Sequence, residues 1–223
     1  MSHRVVCTFA AVALALAFAP GAQIAANAAD EDLSVNARLL VYARTGDAAG
    51  VERALKEGAA VNSRNRIGET ALVIALKKND LKIARLMLDA GTDVNLAAVN
   101  GVTPLMAAAY GGQVEVATEL IAKGADVNAV DRIKKNAMTY AAGDGHPEIV
   151  KLLLGRGVDP NAIYDNDLTA LMWAAGGGNV DAVKALLDAG AQTALKDNRG
   201  KTAADIAREL QHDDVVRLIE AAK

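Results

Sequence analysis

Cysteine is almost missing from this 223-residue chain: Cys7 is the only one, and it lies in a segment expected to be removed. With no second thiol there is no disulfide and no thiolate metal cluster, and beyond Cys7 no cysteine nucleophile. Histidine is nearly as scarce. Past the N-terminal segment only His146 and His212 remain. No His-x-x-x-His, His-Glu-x-x-His or cysteine pair offers zinc a recognisable ligand set, and the His212/Asp213/Asp214 cluster falls short of one. Serine beyond the N-terminal segment is limited to Ser34 and Ser63, neither in a nucleophile elbow. Aromatics are 3% of a chain that is 52% hydrophobic, so the core has to be built from Ala, Leu, Val and Ile. Such small side chains let helices approach closely. The formal charge of −3 and the lack of a polybasic run leave no basic face for nucleic acid and no pull toward an anionic membrane surface. No cofactor, metal site or catalytic group is therefore expected.

Residues 1–28 read as an export signal. His3 and Arg4 open it, Val5 to Ala19 is an unbroken apolar run of 15 residues, and Pro20-Gly21 ends that run. Ala26-Asn27-Ala28 puts small residues where a signal peptidase reads them, so cleavage is expected after Ala28. The run is shorter than the roughly 20 residues a spanning helix needs, although an uncleaved anchor is the alternative. Cys7 stands at the start of the run, not after it, which speaks against lipidation. The alanine-rich signal and the Ala29-Asp30-Glu31 start point to a bacterial protein, periplasmic or secreted, with residues 29–35 as a short flexible linker.

From Asn36 onward the chain repeats every 33 residues. Thr70, Thr103, Thr169 and Thr202 recur in phase, with Asn136 standing in once. Gly58, Gly91, Gly124, Gly157 and Gly190 keep the same spacing, as do Asn62, Asn95, Asn128 and Asn161. A period of this length marks a solenoid whose units bury their apolar faces only by stacking. The clearest unit starts at Gly101-Val102-Thr103-Pro104-Leu105. Thr103 is a good N-cap with Pro104 at the first helical position, where its missing N–H costs nothing. Leu105, Ala108 and Ala109 share one helix face, Gly111-Gly112 breaks the helix, and Val114, Ala117, Leu120 and Ile121 stripe the next. Gly124 then stops that helix. Gly176-Gly177-Gly178 falls where the inter-helix loop belongs and lacks the Lys-Ser/Thr of a phosphate cradle.

These strings resemble the ankyrin repeat family. Thr103-Pro104-Leu105, Gly124-Ala125-Asp126-Val127-Asn128 and Gly145-His146-Pro147-Glu148-Ile149-Val150-Lys151-Leu152-Leu153 carry the resemblance, which covers roughly Asn36 to Lys223. It implies an all-α solenoid of stacked antiparallel helix pairs with projecting β-turn or hairpin fingers. About four full repeats are expected between two capping units, at about 36–65, 66–98, 99–131, 132–164, 165–197 and 198–223. The family's usual His after Thr-Pro-Leu is replaced by Val73, Met106, Thr139, Met172 and Asp205, so its buried turn network must be partly absent or rebuilt. The fourth unit, Lys134-Lys135-Asn136-Ala137-Met138, has lost both its turn glycine and its Thr cap. Lys134 must adopt a backbone conformation that glycine usually supplies, or that finger must bend differently.

The resemblance implies a protein partner held on the finger tips and the exposed side of each first helix. On this chain that face comprises Arg66, Ile67 and Glu69, then Val99, Asn100, Val102 and Tyr110. Arg132, Ile133, Lys135 and Asp144 follow, then Asp165, Asn166 and Leu168. Val99, Val102, Tyr110, Ile133 and Leu168 make an apolar strip that either meets a partner or packs finger against finger. Trp173 is expected inside the first helix of its unit, in the inter-repeat seam with a partly exposed edge as the alternative, and His146 in a structural loop. The expectation is a monomeric, non-catalytic binder. Its rival is a small-ligand or enzymatic pocket around Lys134, Lys135, Asp144 and His146.

Overall fold

The computed structural model describes residues 33–222, so the export signal, its cleavage site and nearly all of the expected linker lie outside the described residues. From Val35 the chain forms one compact unit of helix pairs. The first helices of the pairs are α1 (Val35–Thr45), α3 (Ala71–Lys77), α5 (Pro104–Tyr110), α7 (Ala137–Gly143), α9 (Ala170–Gly176) and α11 (Ala203–Glu209). Their partners are α2 (Ala48–Lys56), α4 (Leu81–Asp89), α6 (Val114–Ala122), α8 (Pro147–Leu154), α10 (Val180–Asp188) and α12 (Asp213–Ala221). Each helix packs on its pair mate and on the corresponding helix of the next unit. Among the described residues no helix is long and apolar enough to cross a membrane.

Helices of seven to nine residues are too short to persist alone, and tertiary packing forms them. The first helices show this most clearly. In α5 every residue from Pro104 to Ala109 is buried and only Tyr110 is exposed, because neighbours on both sides and the second helix behind leave one open edge. The second helices instead keep a wet face and a stripe, as with Ile83, Ala84, Met87 and Leu88 in α4. Thr70, Thr103, Asn136, Thr169 and Thr202 cap the first helices as expected, each accepting the backbone N–H three residues on. The turn network is rebuilt in two units. Thr139 Oγ1 accepts the Asn136 N–H, and Asp205 Oδ2 accepts both the N–H and the hydroxyl of Thr202.

The residue that precedes each second helix divides by chemistry. Asp47 and Asp80 have only acceptors, and each caps its own helix by accepting from Gly50 and Ile83. Gln113, His146, Asn179 and His212 stand in phase with them and reach back one unit. Gln113 Nε2 donates to the Leu76 carbonyl at 2.8 Å, and Asn179 Nδ2 to those of Ala142 and Gly143 at 2.9 and 2.7 Å. The Nε2 atoms of His146 and His212 lie 2.9 and 3.1 Å from the carbonyls of Tyr110 and Gly176. Both histidines thus satisfy the open C-terminal end of a preceding first helix.

The fingers are turns rather than strands. Each closes with one backbone hydrogen bond, from Asn65 to Glu69, Ala98 to Val102, Asp131 to Lys135, Tyr164 to Leu168 and Asp197 to Lys201. Neighbouring fingers are tied by Val99 N–H to Ile67, Arg132 N–H to Asn100 and Asn198 N–H to Asn166. Among the described residues no such bond joins the Asp131–Lys135 finger to the Tyr164–Leu168 finger. Lys134 supplies the reason. Its φ of 55° is the left-handed value expected where Gly68, Gly101 and Gly200 stand in other fingers. A Cβ on Gly101 would come within 2.8 Å of Asp131 Cα in the next finger, whereas one on Gly200, which no finger follows, would meet nothing. The real Cβ of Lys134 occupies that approach, and the following finger stands off. Lys134→Gly should therefore raise stability by about 1 kcal/mol through relief of left-handed strain. It should also slow hydrogen exchange at the Asp165 amide. A urea midpoint that stays put or falls would place the gap's cause elsewhere.

The last unit is held by carboxylates. Burial pushes Asp197 upward, but the backbone N–H of Lys201, the Arg199 guanidinium and the Arg199 N–H outweigh it and hold the carboxyl below its usual range. Asp205 is lowered too, first by hydrogen bonds from the Thr202 hydroxyl and N–H, against burial, and with help from Arg208. Groups with a depressed folded pKa stabilise fully above the unfolded carboxylate value of about 4, and that contribution is lost as pH falls through the folded values. Acidification from about pH 4 toward 2.5 should release α11 and α12 before the rest. Hydrogen exchange along a pH series reads this directly. Uniform protection of all six pairs down to one global transition would contradict it.

Candidate partner-binding groove

Glu69 was expected on the open face and is instead buried, at 8% exposure. Burial pushes its carboxyl up, but hydrogen bonds from Lys77 and Asn65 prevail and keep it ionised more readily than usual. The same geometric slot is occupied by Val102, Lys135, Leu168 and Lys201 in the other units. Val102 and Leu168 are half-buried and pack on the core. The expected apolar strip is therefore split: Val99, Ile133 and Tyr110 are exposed, joined by Ile67, while Val102 and Leu168 serve as finger supports. Arg66, Asn100, Arg132, Asp165 and Asn166 are exposed at the tips. Asp144 is exposed at the end of α7, and Lys135 is half-buried at its start.

The structure brings Tyr110, Lys135, Asp144 and Leu168 together on a groove of about 520 Å³ that runs across the ends of α5, α7, α9 and α11. Lys134 is exposed at the finger tip, and His146 is engaged with the Tyr110 carbonyl. Neither lines the groove. Two residues not foreseen as contacts form its walls, Tyr140 and Trp173. Trp173 was expected mainly in the inter-repeat seam, but one edge is open. Its indole N–H is buried with no acceptor among the described residues.

Lys135 Nζ sits 3.8 Å from the centroid of the Trp173 ring and 5.5 Å from that of Tyr140. The ring faces are the negative side of the aromatic quadrupole, so they hold the ammonium. Tyr110 meets Tyr140 edge to face, with centroids 6.1 Å apart. The Tyr140 hydroxyl donates to Asp131 Oδ2 at 2.7 Å, while Asp131 Oδ1 accepts the N–H groups of Ile133 and Lys135. Burial first, then this carboxylate, push the Tyr140 phenol well above its usual value, so it stays a neutral donor. Burial also pushes the Asp144 carboxyl up, opposed by the nearby charges of His146 and Lys135.

The groove exists because two side chains are absent. The last residue of each first helix is Lys77, Tyr110, Gly143, Gly176 and Glu209 in successive units. A large side chain at 143 or 176 would fill the space that the groove now occupies. A Cβ at Gly143 would meet Trp173, and one at Gly176 would meet Ile206, both at an ordinary 3.6 Å. Tight packing therefore does not demand glycine at either place. Aligning the units in phase exposes this pair in the sequence, a signal that reading each motif by itself does not give.

The decisive likeness lies in the repeat itself. The family model described as ankyrin repeats (3 copies) matches residues 39–131 and 135–222. The chain belongs to the ankyrin repeat family. The gap between the two matched stretches is Arg132–Lys134, the tip of the deviant finger. No curated protein matches the chain. Ankyrin repeats are in general protein-interaction modules, and this ankyrin array presents its aromatic groove on the finger and first-helix side. Among the described residues no group of three or more His, Cys, Asp or Glu side chains is arranged to hold a metal ion.

Proposed function

We propose that this protein is exported through residues 1–28, is cleaved after Ala28, and works in the periplasm or outside the cell as a monomeric, non-catalytic binder of another protein. A scaffold, an inhibitor or an immunity factor would each use such a module. The observation that carries the reading is the groove: three of the five aromatic residues beyond the N-terminal segment, Tyr110, Tyr140 and Trp173, line this one site. Aromatics concentrated on an accessible face favour binding hot spots. Exposed Ile67, Val99 and Ile133 on adjacent fingers extend the surface. A rigid array keeps these groups ordered before contact, so little entropy is lost on association.

Affinity capture from a cell-envelope extract tests the reading. The tagged protein should retain a specific partner, and a variant with Val99, Tyr110 and Ile133 changed to Ser should lose it. These three are exposed, so the variant keeps its core and its circular dichroism. Retention by both baits would move the interface to the second-helix side or the end units. Failure of either bait to retain a partner would count against a stable binder.

A second reading, a pocket for a small ligand, draws on the same groove, whose volume lies within the range of ligand sites. His146 is engaged in a structural hydrogen bond and Lys134 stands outside the cavity, so the ligand's contacts would fall to Lys135, Asp144 and the aromatic rings.

A further inference from the structure

In two other units, the finger residue in phase with Lys135 pairs with the last residue of the first helix. Glu69 binds Lys77, and Lys201 binds Glu209 with the signs reversed. At Lys135 the helix position is Gly143, so the counter-charge is missing. Among the described residues Lys135 has no hydrogen bond and no ion pair, only the two aromatic faces. Ring faces attract a cation but accept none of its three N–H donors in the directed way a carboxylate does. The space that the missing side chain vacates is the groove itself, floored by Trp173 and bounded by Leu168.

We propose that the partner completes this pair: an acidic group of the bound protein, flanked by a large apolar side chain, enters the groove. The carboxylate takes the ammonium of Lys135, and the apolar group lies against Trp173, Tyr140 and Leu168. The position is built for such an exchange, since the array satisfies it internally in two other units and leaves it open where a cavity lies beside it. Asp144, the carboxylate on the groove wall, sits close enough to Lys135 to feel its charge and disfavours a second acid. This inference rests on the protein-binding reading above.

The test uses N-acetyl-phenylalanine and its carboxamide, two probes that differ only in charge. The readout is the indole N–H resonance of Trp173, which is unambiguous because the chain has one tryptophan. The acid should shift this signal saturably at millimolar concentration, with affinity at least about fivefold above the carboxamide, as a charge-assisted hydrogen bond would give. Lys135→Met should abolish that preference. Asp144→Asn should strengthen the acid by about twofold or more through loss of like-charge repulsion. Gly176→Gln should block both probes by filling the groove, and a dispersed indole signal confirms that each variant is folded. Equal binding of acid and carboxamide, or a preference that survives Lys135→Met, overturns the proposal. Weakening by Asp144→Asn does so too, because it would mean a cationic ligand. If the preference fails while envelope capture succeeds, this inference alone is wrong. If the preference stands while capture fails, the protein source is overturned and with it the reading on which it rests.

Discussion

Replacing Leu153 with alanine should cost about 3 kcal/mol and, more tellingly, should split the unfolding transition in two. Leu153 is fully buried in α8, the second helix of the fourth unit. That unit is tied to its neighbours more loosely than the others. The asparagine ladder that links Asn62 to the Asp93 N–H, Asn95 to Asp126 and Asn161 to Gln192 has no counterpart at Asn128. The finger ladder is interrupted beside Lys134. In a solenoid stability is a sum of unit and nearest-neighbour terms, so cooperativity breaks where an interface is weakest. Apolar packing through Met138, Ile149, Val150 and Leu153 therefore carries the coupling there. In the variant, Trp173 fluorescence reports the fifth unit while circular dichroism averages all six. The two urea curves should separate in Leu153→Ala and coincide in the parent. A single coincident transition with a loss below about 1 kcal/mol would show that packing elsewhere bridges the fourth unit.

The second large effect is expected at Asp131. This buried carboxylate accepts the N–H groups of Ile133 and Lys135 and the hydroxyl of Tyr140. Asp131→Ala leaves two finger N–H groups and a phenol without their acceptor and should cost about 2 to 3 kcal/mol, the upper end for hydrogen bonds to a charged group. It should also loosen Tyr140, and with it the cradle that positions Lys135, so binding falls along with stability. Asp131→Asn is the informative control. Asn65 occupies the same position in the first finger and accepts the N–H groups of Ile67 and Glu69 through its amide oxygen. Asparagine at 131 should accordingly restore most of the stability. If Asn and Ala prove equally damaging, the carboxylate's charge rather than its acceptor geometry is what matters. Chemical denaturation of the three proteins separates these outcomes.

Much of this was legible before any coordinates. The 33-residue period located the helix pairs, and the threonine phase marked their caps. Lys134 was recognisable as a residue in a glycine's place, because a left-handed turn position announces itself when the in-phase glycines are lost. The groove was less visible. Tyr110, Lys135, Asp144 and Leu168 were named as parts of a broad face, while Tyr140 passed unmentioned and Trp173 was assigned mainly to the inter-repeat seam. Glu69 was placed on that face although it is buried. Whether a first-helix residue faces the neighbouring unit or the open edge depends on the offset between stacked helices, which the repeat pattern does not state.

The sequence by itself determined the architecture, since apolar periodicity and caps at a constant spacing permit only stacking of like units. The absences it records, of thiols, histidine clusters and basic runs, narrowed the chemistry in the same direct way. Tertiary structure alone decided what the surface offers. Residues 33 and 66 positions apart become neighbours only when units stack, so Lys135 meets Trp173, and Gly143 with Gly176 opens a cavity, through contacts between units. Local sequence governs what each repeat becomes, whereas the groove belongs to the seams between repeats, where each side chain's role depends on what its neighbours lack.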